Sequence, residues 1–186
     1  MQQNQYKGGT RRMSGWDYRS KSSYFITICT DNREWYFGEL QDGEVLLSPI
    51  GRIAEDYWKN IPSHFPEVTI DDFVLMPNHL HGILHIDPGP DFILPSRALE
   101  RSNQCGKHPK GSLQVIVNAY KGAVTRWCSG QVLPFKWQAR FDERRIRSVE
   151  QLQAMREYIE QNPQKADVHD SSQTIPPTPH PHPHPQ

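Results

Sequence analysis

The sequence predicts an α+β fold in which helices pack on an antiparallel sheet. Two observations support this prediction. Short runs of β-branched and aromatic residues, typical of strands, alternate along the chain with longer segments whose apolar residues recur every three or four positions, as in helices. The elements follow in the order strand, hairpin, helix, strand, strand, helix, strand, helix. A chain of 186 residues is long enough for one domain with its own core.

The strands are predicted from composition. Runs rich in Val, Ile, Thr, Phe and Tyr lie at residues 24–30, 68–76, 79–86 and 132–146. The last run contains interleaved basic residues and fits either a strand or a hairpin. A further hairpin is predicted at 34–47, because Asp42 and Gly43 favour the left-handed backbone of a two-residue turn.

Three helices are predicted from apolar residues at helical spacing. They lie at 49–61, 113–130 and 148–162. Ser148, with Gln151 three residues later, forms a capping-box pattern, and Pro163 predicts the end of the last helix. The apolar stripe of that helix consists of Val149, Leu152, Met155 and Ile159.

Outside one domain at 21–168, the composition changes. Residues 1–20 are predicted to form a flexible arm, and residues 169–186 alternate Pro and His, which predicts a disordered tail. Residues 87–111 lack periodicity and are predicted to form a long loop. Neither a signal peptide nor an apolar run of membrane-spanning length is recognised, so no membrane partner is expected.

Charge and cysteine content restrict the function classes. The formal net charge is zero, so nucleic-acid binding is expected only through local clusters of basic residues. The three cysteines, Cys29, Cys105 and Cys128, have neither metal-ligand nor redox spacing. We therefore expect a reduced, cytoplasmic protein, associated with the nucleoid if it binds DNA.

Two histidines form the candidate metal site. Alternate side chains of a strand share a face, so His79 and His81 project the same way, with roughly 7 Å between them along the strand. His85 shares that face and is a candidate extra ligand or supporting group. The residues on the other face are Leu80, Gly82, Leu84 and Ile86, which point into the core. For the pair alone, two ordinary strand histidines are the simpler interpretation.

The metal expected at this site is Mg²⁺ or Mn²⁺. Two histidines and an amide oxygen form an incomplete ligand shell, and Mn²⁺ tolerates imidazole better than Mg²⁺ does. A closed structural zinc site is not expected, since no cysteines are arranged for it. Asp71 and Asp72 precede the histidine motif and could reach the metal, although a solvated turn is the simpler interpretation.

Tyr158 is the candidate nucleophile. It lies at the edge of the last helix's stripe, and Asn162 lies one turn above it, rotated by only about 40°. A phenol beside an amide suits a nucleophile next to a metal ligand, whereas helix-edge packing is the simpler explanation. Tyr120 is the alternative nucleophile, but it lies on an apolar stripe and is followed four residues later by Val124, which cannot bind metal.

Five residues are candidate DNA contacts. Trp137, Arg140 and Arg147 lie where arginines and aromatic residues are most densely interleaved, a pattern that binds single strands by charge and stacking. Lys121 and Arg126 lie on polar sides of the second helix and are candidate phosphate contacts. Structural aromatic residues and solvated basic side chains are the alternative interpretation.

An ordered set of motifs spans the domain. It consists of residues 24–30, Tyr36-Phe37-Gly38, residues 76–82, Trp137-Gln138 with Arg140 and Asp142, Tyr158-Ile159 and Asn162-Pro163. With these motifs the chain resembles the HUH-type single-tyrosine transposases of insertion sequences, and more closely the REP-associated tyrosine transposases. The histidine motif alone is moderately specific, and the full ordered set is much more so.

The resemblance implies a role for each matched residue. His79 and His81 match the family's metal-binding histidines, Tyr158 its nucleophile and Asn162 its third metal ligand, which is Gln in many insertion-sequence members. The implied fold is ferredoxin-like or RRM-like, with the last helix crossing the sheet over the histidines.

The resemblance also implies an activity. It is metal-dependent nicking and rejoining of hairpin-forming single-stranded DNA, such as REP-like palindromes, through a 5′-phosphotyrosine intermediate. Members of the superfamily act as monomers or homodimers. Two alternatives stay open: a domesticated protein that binds hairpin DNA without cleaving it, and a metal-dependent nuclease that uses water.

Overall fold

A computed structural model describes residues 21–89 and 112–170, with the backbone alone described for 165–170. The predicted arm at 1–20, the tail beyond residue 170 and most of the predicted loop at 87–111 lie outside the described residues. No helix within the described part of the chain has both the length and the apolar character needed to cross a membrane.

Six strands and four α-helices form the described part of the chain. The strands are β1 (Ser22–Cys29), β2 (Gly38–Gln41), β3 (Glu44–Leu47), β4 (Val68–Met76), β5 (His79–Ile86) and β6 (Asp142–Ile146). The helices are α1 (Pro49–Lys59), α2 (Ile61–His64), α3 (Leu113–Gly130) and α4 (Val149–Asp170), and a 3-10 turn, Asp31–Arg33, follows β1.

The main sheet is antiparallel, and its strands lie in the order β4-β5-β1-β6. With α1 and α3 as its two crossover helices, this is the strand order of a ferredoxin-like fold, and the predicted fold class is confirmed. The predicted hairpin is also confirmed: β2 pairs with β3, and Asp42 and Gly43 have φ angles of 50° and 77° at its turn.

The two faces of the sheet are covered differently. The main hydrophobic core lies under α1 and α3, and alternate residues of β1 and β5 point into it. These strand residues are Tyr24, Ile26, Ile28, Leu80, Leu84 and Ile86. α4 lies on the opposite face over a smaller cluster formed by Ile83, Ile146 and Ile159. The three histidines of β5 lie on the face opposite the main core, as the alternation predicted, and α4 covers that face, as the resemblance implied.

Gly82 determines how closely α1 approaches β5. A Cβ at this position would lie 2.5 Å from the ring of Trp58, which is fully buried. The prediction that Gly82 allows close packing on the core face is confirmed. Because this contact holds β5 against the core, it also fixes the strand that carries the histidines.

α4 extends beyond its predicted end at Pro163. The proline lies inside the helix, which continues to Asp170. A proline removes one backbone hydrogen bond from a helix. However, the next residue, Gln164, lies against the β2–β3 turn: a Cβ built on Gly43 would be 3.8 Å from Cγ of Gln164. This contact favours continued helix. The predicted stripe is wrong at Val149, which is 77% exposed.

The predicted strand or hairpin at 132–146 is wrong in its first ten residues. Only β6 at its end is a strand, and the preceding segment has one isolated bridge, between Trp137 and Thr30. Pro134 lacks a backbone donor, and the side chains of Trp137 and Phe141 are drawn into the core. Packing of these rings replaces regular strand pairing.

Candidate functional site

His79 and His81, the histidine pair, lie side by side on the face of β5 that α4 covers. Their ring centroids are 4.6 Å apart, and they lie opposite Cys29 and Thr27 of β1. His81 is 7% exposed, and the ring of Phe25 stacks on it with 5.3 Å between centroids. The strand alternation thus brings both imidazoles to one point at the start of β5.

Each imidazole is oriented through its Nδ1 atom. His79 Nδ1 lies 2.6 Å from Asn78 Oδ1, and His81 Nδ1 lies 2.8 Å from Thr27 Oγ1. An amide oxygen only accepts, so Nδ1 of His79 donates and its Nε2 lone pair stays available. The same tautomer in His81, donating to the threonine oxygen, leaves Nε2 available there too. Imidazoles oriented in this way are typical of metal ligands.

Burial keeps both imidazoles neutral. It lowers the pKa of His79 to about 4, and the positive charge of Arg33 contributes to this shift. Burial also lowers the pKa of His81 to about 3, with smaller contributions from His79 and Arg33. Neutral imidazole is the form that binds a metal ion, so both rings are competent ligands at neutral pH.

α4 carries Tyr158 across the sheet to the histidine pair. The Oη atom of Tyr158 lies 3.4 Å from Nε2 of His81. Its ring meets those of His81 and Phe25 edge-on, with centroid distances of 5.2 and 5.8 Å. Tyr158 is 42% exposed, so a substrate can approach its hydroxyl from solvent. A phenol from a helix and two imidazoles from a strand therefore share one site.

Asn162 lies one turn beyond Tyr158 on α4 and is half-buried. Among the residues that the structure describes, no three His, Cys, Asp or Glu side chains cluster at one point. The candidate ligands for a cation here are the histidine pair and, as the resemblance to the transposases implies, the amide oxygen of Asn162. Neutral nitrogen and oxygen donors without thiolate fit Mn²⁺ or Mg²⁺ rather than a structural zinc ion.

Arg33 is a site residue that the sequence did not single out. It ends the 3-10 turn after β1, and both Asn32 and Arg33 have left-handed φ angles, 50° and 59°. The backbone amide of Thr30, just before the turn, donates to the carbonyl of Asn78 at 3.0 Å. The turn is thereby tied to the residue that precedes the histidine pair. Only the pairing of β1 with β5, which joins distant segments, reveals this proximity.

Trp137 and Lys121 make contacts within the protein, and for Trp137 this is the alternative, structural interpretation of the sequence. Trp137 is 8% exposed, and its indole Nε1 donates to the carbonyl of Lys121 at 3.0 Å. Its ring packs against other core rings, so no open face is left for a base, contrary to the predicted stacking role. Lys121 Nζ donates to the carbonyl of Gln138 at 2.7 Å. The ammonium group therefore holds this segment against α3.

The predicted arginine contacts lie at the surface. Arg126 is exposed on α3, which packs on the sheet face away from Tyr158. Arg140 and Arg147 are exposed just before and just after β6. Arg147 also donates from its backbone amide to Gln151 at 2.9 Å, at the start of α4. Of the three, Arg140 and Arg147 flank the edge strand next to β1.

Two alternatives from the sequence are corrected by the structure. Tyr120 is 3% exposed in the main core, and burial raises its pKa far above the ordinary value, so it cannot act as nucleophile. Asp71 and Asp72 lie within β4, not in a solvated turn, and the carboxylate of Asp71 is bonded to His85 and Arg156. Asp71 and His85 are therefore partners of each other and not of a metal.

Comparison with known proteins shows what this chain is related to. A Haemophilus influenzae protein described as uncharacterized is 37% identical over 157 residues, which cover 82% of this chain and 86% of that protein. The chain belongs to the family of that protein. No protein-family model matches the chain.

One solved structure shares its fold. The chain is similar to a REP-associated tyrosine transposase bound to a REP hairpin, with a TM-score of 0.52 and 24% identity, over 83% of this chain and 74% of that one. This is the fold of a REP-associated tyrosine transposase. The resemblance predicted from the motifs is thus confirmed at the level of the fold. A Deinococcus radiodurans protein provisionally named a transposase is 16% identical, with a TM-score of 0.43 over 81% of this chain and 96% of that one, too low a similarity to support a conclusion.

Proposed function

We propose that this protein is a metal-dependent transesterase that nicks and rejoins hairpin-forming single-stranded DNA, with Tyr158 as its nucleophile. The observation that carries the proposal is the distance of 3.4 Å between Tyr158 Oη and Nε2 of His81, beside His79. The REP-associated transposase of the same fold is bound to a REP hairpin, which supports hairpin DNA as the substrate class.

The reaction exchanges one phosphate ester for another. Tyr158 Oη forms a bond to phosphorus while the bond from phosphorus to the 3′ oxygen breaks, giving a 5′-phosphotyrosine and a free 3′-OH. The phenol gives up one proton and the departing oxygen gains one, so protons balance. Because the ester bond is conserved, a 3′-OH can later displace the tyrosine without ATP.

The residues around Tyr158 orient the reacting groups. A cation at the histidine pair and Asn162 would offset the charge that builds on the phosphate. Thr27 and Asn78 hold the imidazoles through their Nδ1 atoms. Phe25 contacts the tyrosine ring edge-on and restricts its rotation. These contacts are made before DNA binds, so little reorganisation is needed when it does.

One incubation tests the proposed function. The protein is mixed with single-stranded hairpin DNA and Mn²⁺ and run on a denaturing protein gel. A 3′-end label should migrate with the protein, because the tyrosine retains the downstream fragment, whereas a 5′-end label should be released on a free fragment. Nicks without a covalent band would instead indicate a nuclease that uses water. A mobility shift on a native gel without nicking would indicate a hairpin-binding protein that does not cleave.

Replacing Arg33 by Ala should slow adduct formation. Its charge acts on both histidines, which favours a role in binding the phosphate that reaches them. Loss of one such preorganised donor costs roughly a hundredfold to a thousandfold in rate, and single-turnover kinetics would measure it. Arg52→Ala is the control, since Arg52 is exposed on α1 and, among its described contacts, its side chain bonds the Leu47 carbonyl alone. Equal rates for the two variants would refute the role.

Replacing Arg140 and Arg147 by Ala should weaken hairpin binding and make it less dependent on salt. Each lost phosphate contact lowers the slope of log K against log salt by about 0.7 for a single strand. Fluorescence anisotropy at several salt concentrations measures that slope. Arg126→Ala is the comparison, because α3 lies on the other side of the sheet. An unchanged slope in the double variant would exclude both arginines as contacts.

A further inference from the structure

A β-bulge in β4 turns Asp71 toward α4. The pairing of β4 with β5 is regular up to Ile70 and resumes at Phe73, so Asp71 and Asp72 together lie opposite one residue, Ile83. An extra residue in a strand breaks the alternation and redirects a side chain. The side chain of Asp71 points under α4 and is 9% exposed, whereas Asp72 is exposed.

The carboxylate of Asp71 is bonded on both oxygens. Arg156 of α4 donates from Nε to Oδ1 at 3.0 Å and from Nη2 to Oδ2 at 2.7 Å. His85 Nε2 donates to Oδ2 at 2.7 Å, and its Nδ1 lies 2.6 Å from Ser23 Oγ. Burial alone would raise the pKa of Asp71, but the hydrogen bonds from Arg156 and His85 outweigh it and lower the pKa to about 2. We term these four residues the Asp71 network.

The Asp71 network joins three strands to one helix. Ser23 belongs to β1, His85 to β5 and Asp71 to β4, and all three support a single bidentate contact to Arg156 of α4. A bidentate contact between a guanidinium and a carboxylate fixes orientation as well as distance. The network therefore restrains how α4 is rotated about its own axis.

Arg156 and Tyr158 lie on opposite sides of the stripe that faces the sheet. At 100° per residue, Arg156 is about 70° and Tyr158 about 90° from the middle of the stripe formed by Leu152, Met155 and Ile159. Rotation of the helix about its axis would thus move one of them toward the sheet and the other away from it. For an atom about 6 Å from the axis, a rotation of about 20° is a displacement of about 2 Å.

We propose that Asp71 is a positioning residue for the nucleophile. By holding Arg156 it fixes the rotation of α4, and so it holds the hydroxyl of Tyr158 beside His81. The inference rests on the proposed function, because it takes Tyr158 as the nucleophile. Asp71 touches neither the phosphate nor the reacting oxygen, and its effect on the reaction passes through the helix.

Kinetics of Asp71→Asn and Arg156→Gln test the proposal, with Asp72→Asn as the matched control in the same bulge. Both variants should slow single-turnover adduct formation by about tenfold to a hundredfold, as expected for a nucleophile displaced by about 1 Å. Hairpin affinity should stay close to wild type, and Asp72→Asn should react normally. The double variant should be no slower than the slower single variant, since the two residues act as one unit. Arg156→Lys, which keeps the charge without the bidentate contact, should restore part of the rate.

A second measurement reports the position of Tyr158 without any reaction. The tyrosine ring, 5.2 Å from that of His81, shifts the NMR signals of the imidazole protons through its ring current. In Asp71→Asn and Arg156→Gln these signals should move toward those of Tyr158→Leu, and in Asp72→Asn they should not. If the wild type forms no adduct, the proposed function fails, while the NMR signals still decide the positioning role. Wild-type rates or wild-type His81 signals in folded Arg156→Gln, which alters a partly exposed side chain, would overturn the proposal.

Discussion

Replacing Tyr158 by Phe should abolish the covalent protein–DNA adduct and leave the protein folded. Phenylalanine keeps the edge-on contacts with His81 and Phe25, but it lacks the oxygen that bonds to phosphorus. We expect adduct formation to fall by about a thousandfold or more, as when a catalytic nucleophile is removed. The 3′-labelled hairpin on a denaturing gel measures it, with thermal unfolding as the check on folding.

Tyr120→Phe is the matched control for this variant. Tyr120 is buried in the main core, so losing its hydroxyl should not change adduct formation. Hairpin affinity of Tyr158→Phe should stay near wild type, because most protein–DNA hydrogen bonds are made to phosphates and sugars and this variant removes a single hydroxyl. A labelled band that survives in Tyr158→Phe would show that another residue attacks, and mass spectrometry of the adduct peptide would identify it.

Substituting His81 by Gln, or chelating divalent cations with EDTA, should each stop nicking. Gln can keep the hydrogen bond to Thr27 but lacks the imidazole lone pair. A cation that stabilises the transition state by on the order of 3–4 kcal/mol accounts for roughly a hundredfold to a thousandfold in rate. We expect the rate of nicking in Mn²⁺ to fall by a factor of that size in His81→Gln. The rate should also fall in His79→Gln.

Direct binding of Mn²⁺ separates loss of the metal from other damage. Calorimetric titration should show binding by the wild type and by His64→Gln, an exposed histidine on α2, and weak or no binding by His81→Gln. Activity lost in EDTA should return when Mn²⁺ is restored. If His81→Gln nicks at the wild-type rate and remains sensitive to EDTA, the metal is held elsewhere.

The parts of the fold that follow from local pattern could be predicted. The alternation of side chains along β5 predicted that the histidine pair lies on one face of the strand and that Leu80 and Gly82, which pack in the core, lie on the other. Helical spacing placed Tyr158 at the edge of the stripe on α4. The capping pattern at Ser148 was also predicted, and the backbone N–H of Gln151 donates to the serine hydroxyl at 3.2 Å. In each case the cause lies within a few residues of its effect, so a single sequence reveals it.

The parts that depend on distant segments could not be predicted. The charge of Arg33 acts on the histidine pair because the pairing of β1 with β5 brings its turn near them, and Asp71 bonds Arg156 because a bulge interrupts β4. Trp137 is an aromatic residue among arginines, as in a surface on which bases stack, yet the rings of the core surround it. Register, bulges and competition for space in the core are properties of the assembled chain, and no local pattern encodes them.

The location of α4 separates the core that maintains the domain from the site proposed for catalysis. The larger core lies beneath α1 and α3, whereas α4 covers only the small cluster around Ile83, Ile146 and Ile159. Local opening of such a peripheral helix costs less free energy than global unfolding. The proposed activity would therefore be lost by a mutation in one helix, or by its transient detachment, while the sheet stays intact. A relative that is inactive but melts at an ordinary temperature would have this explanation.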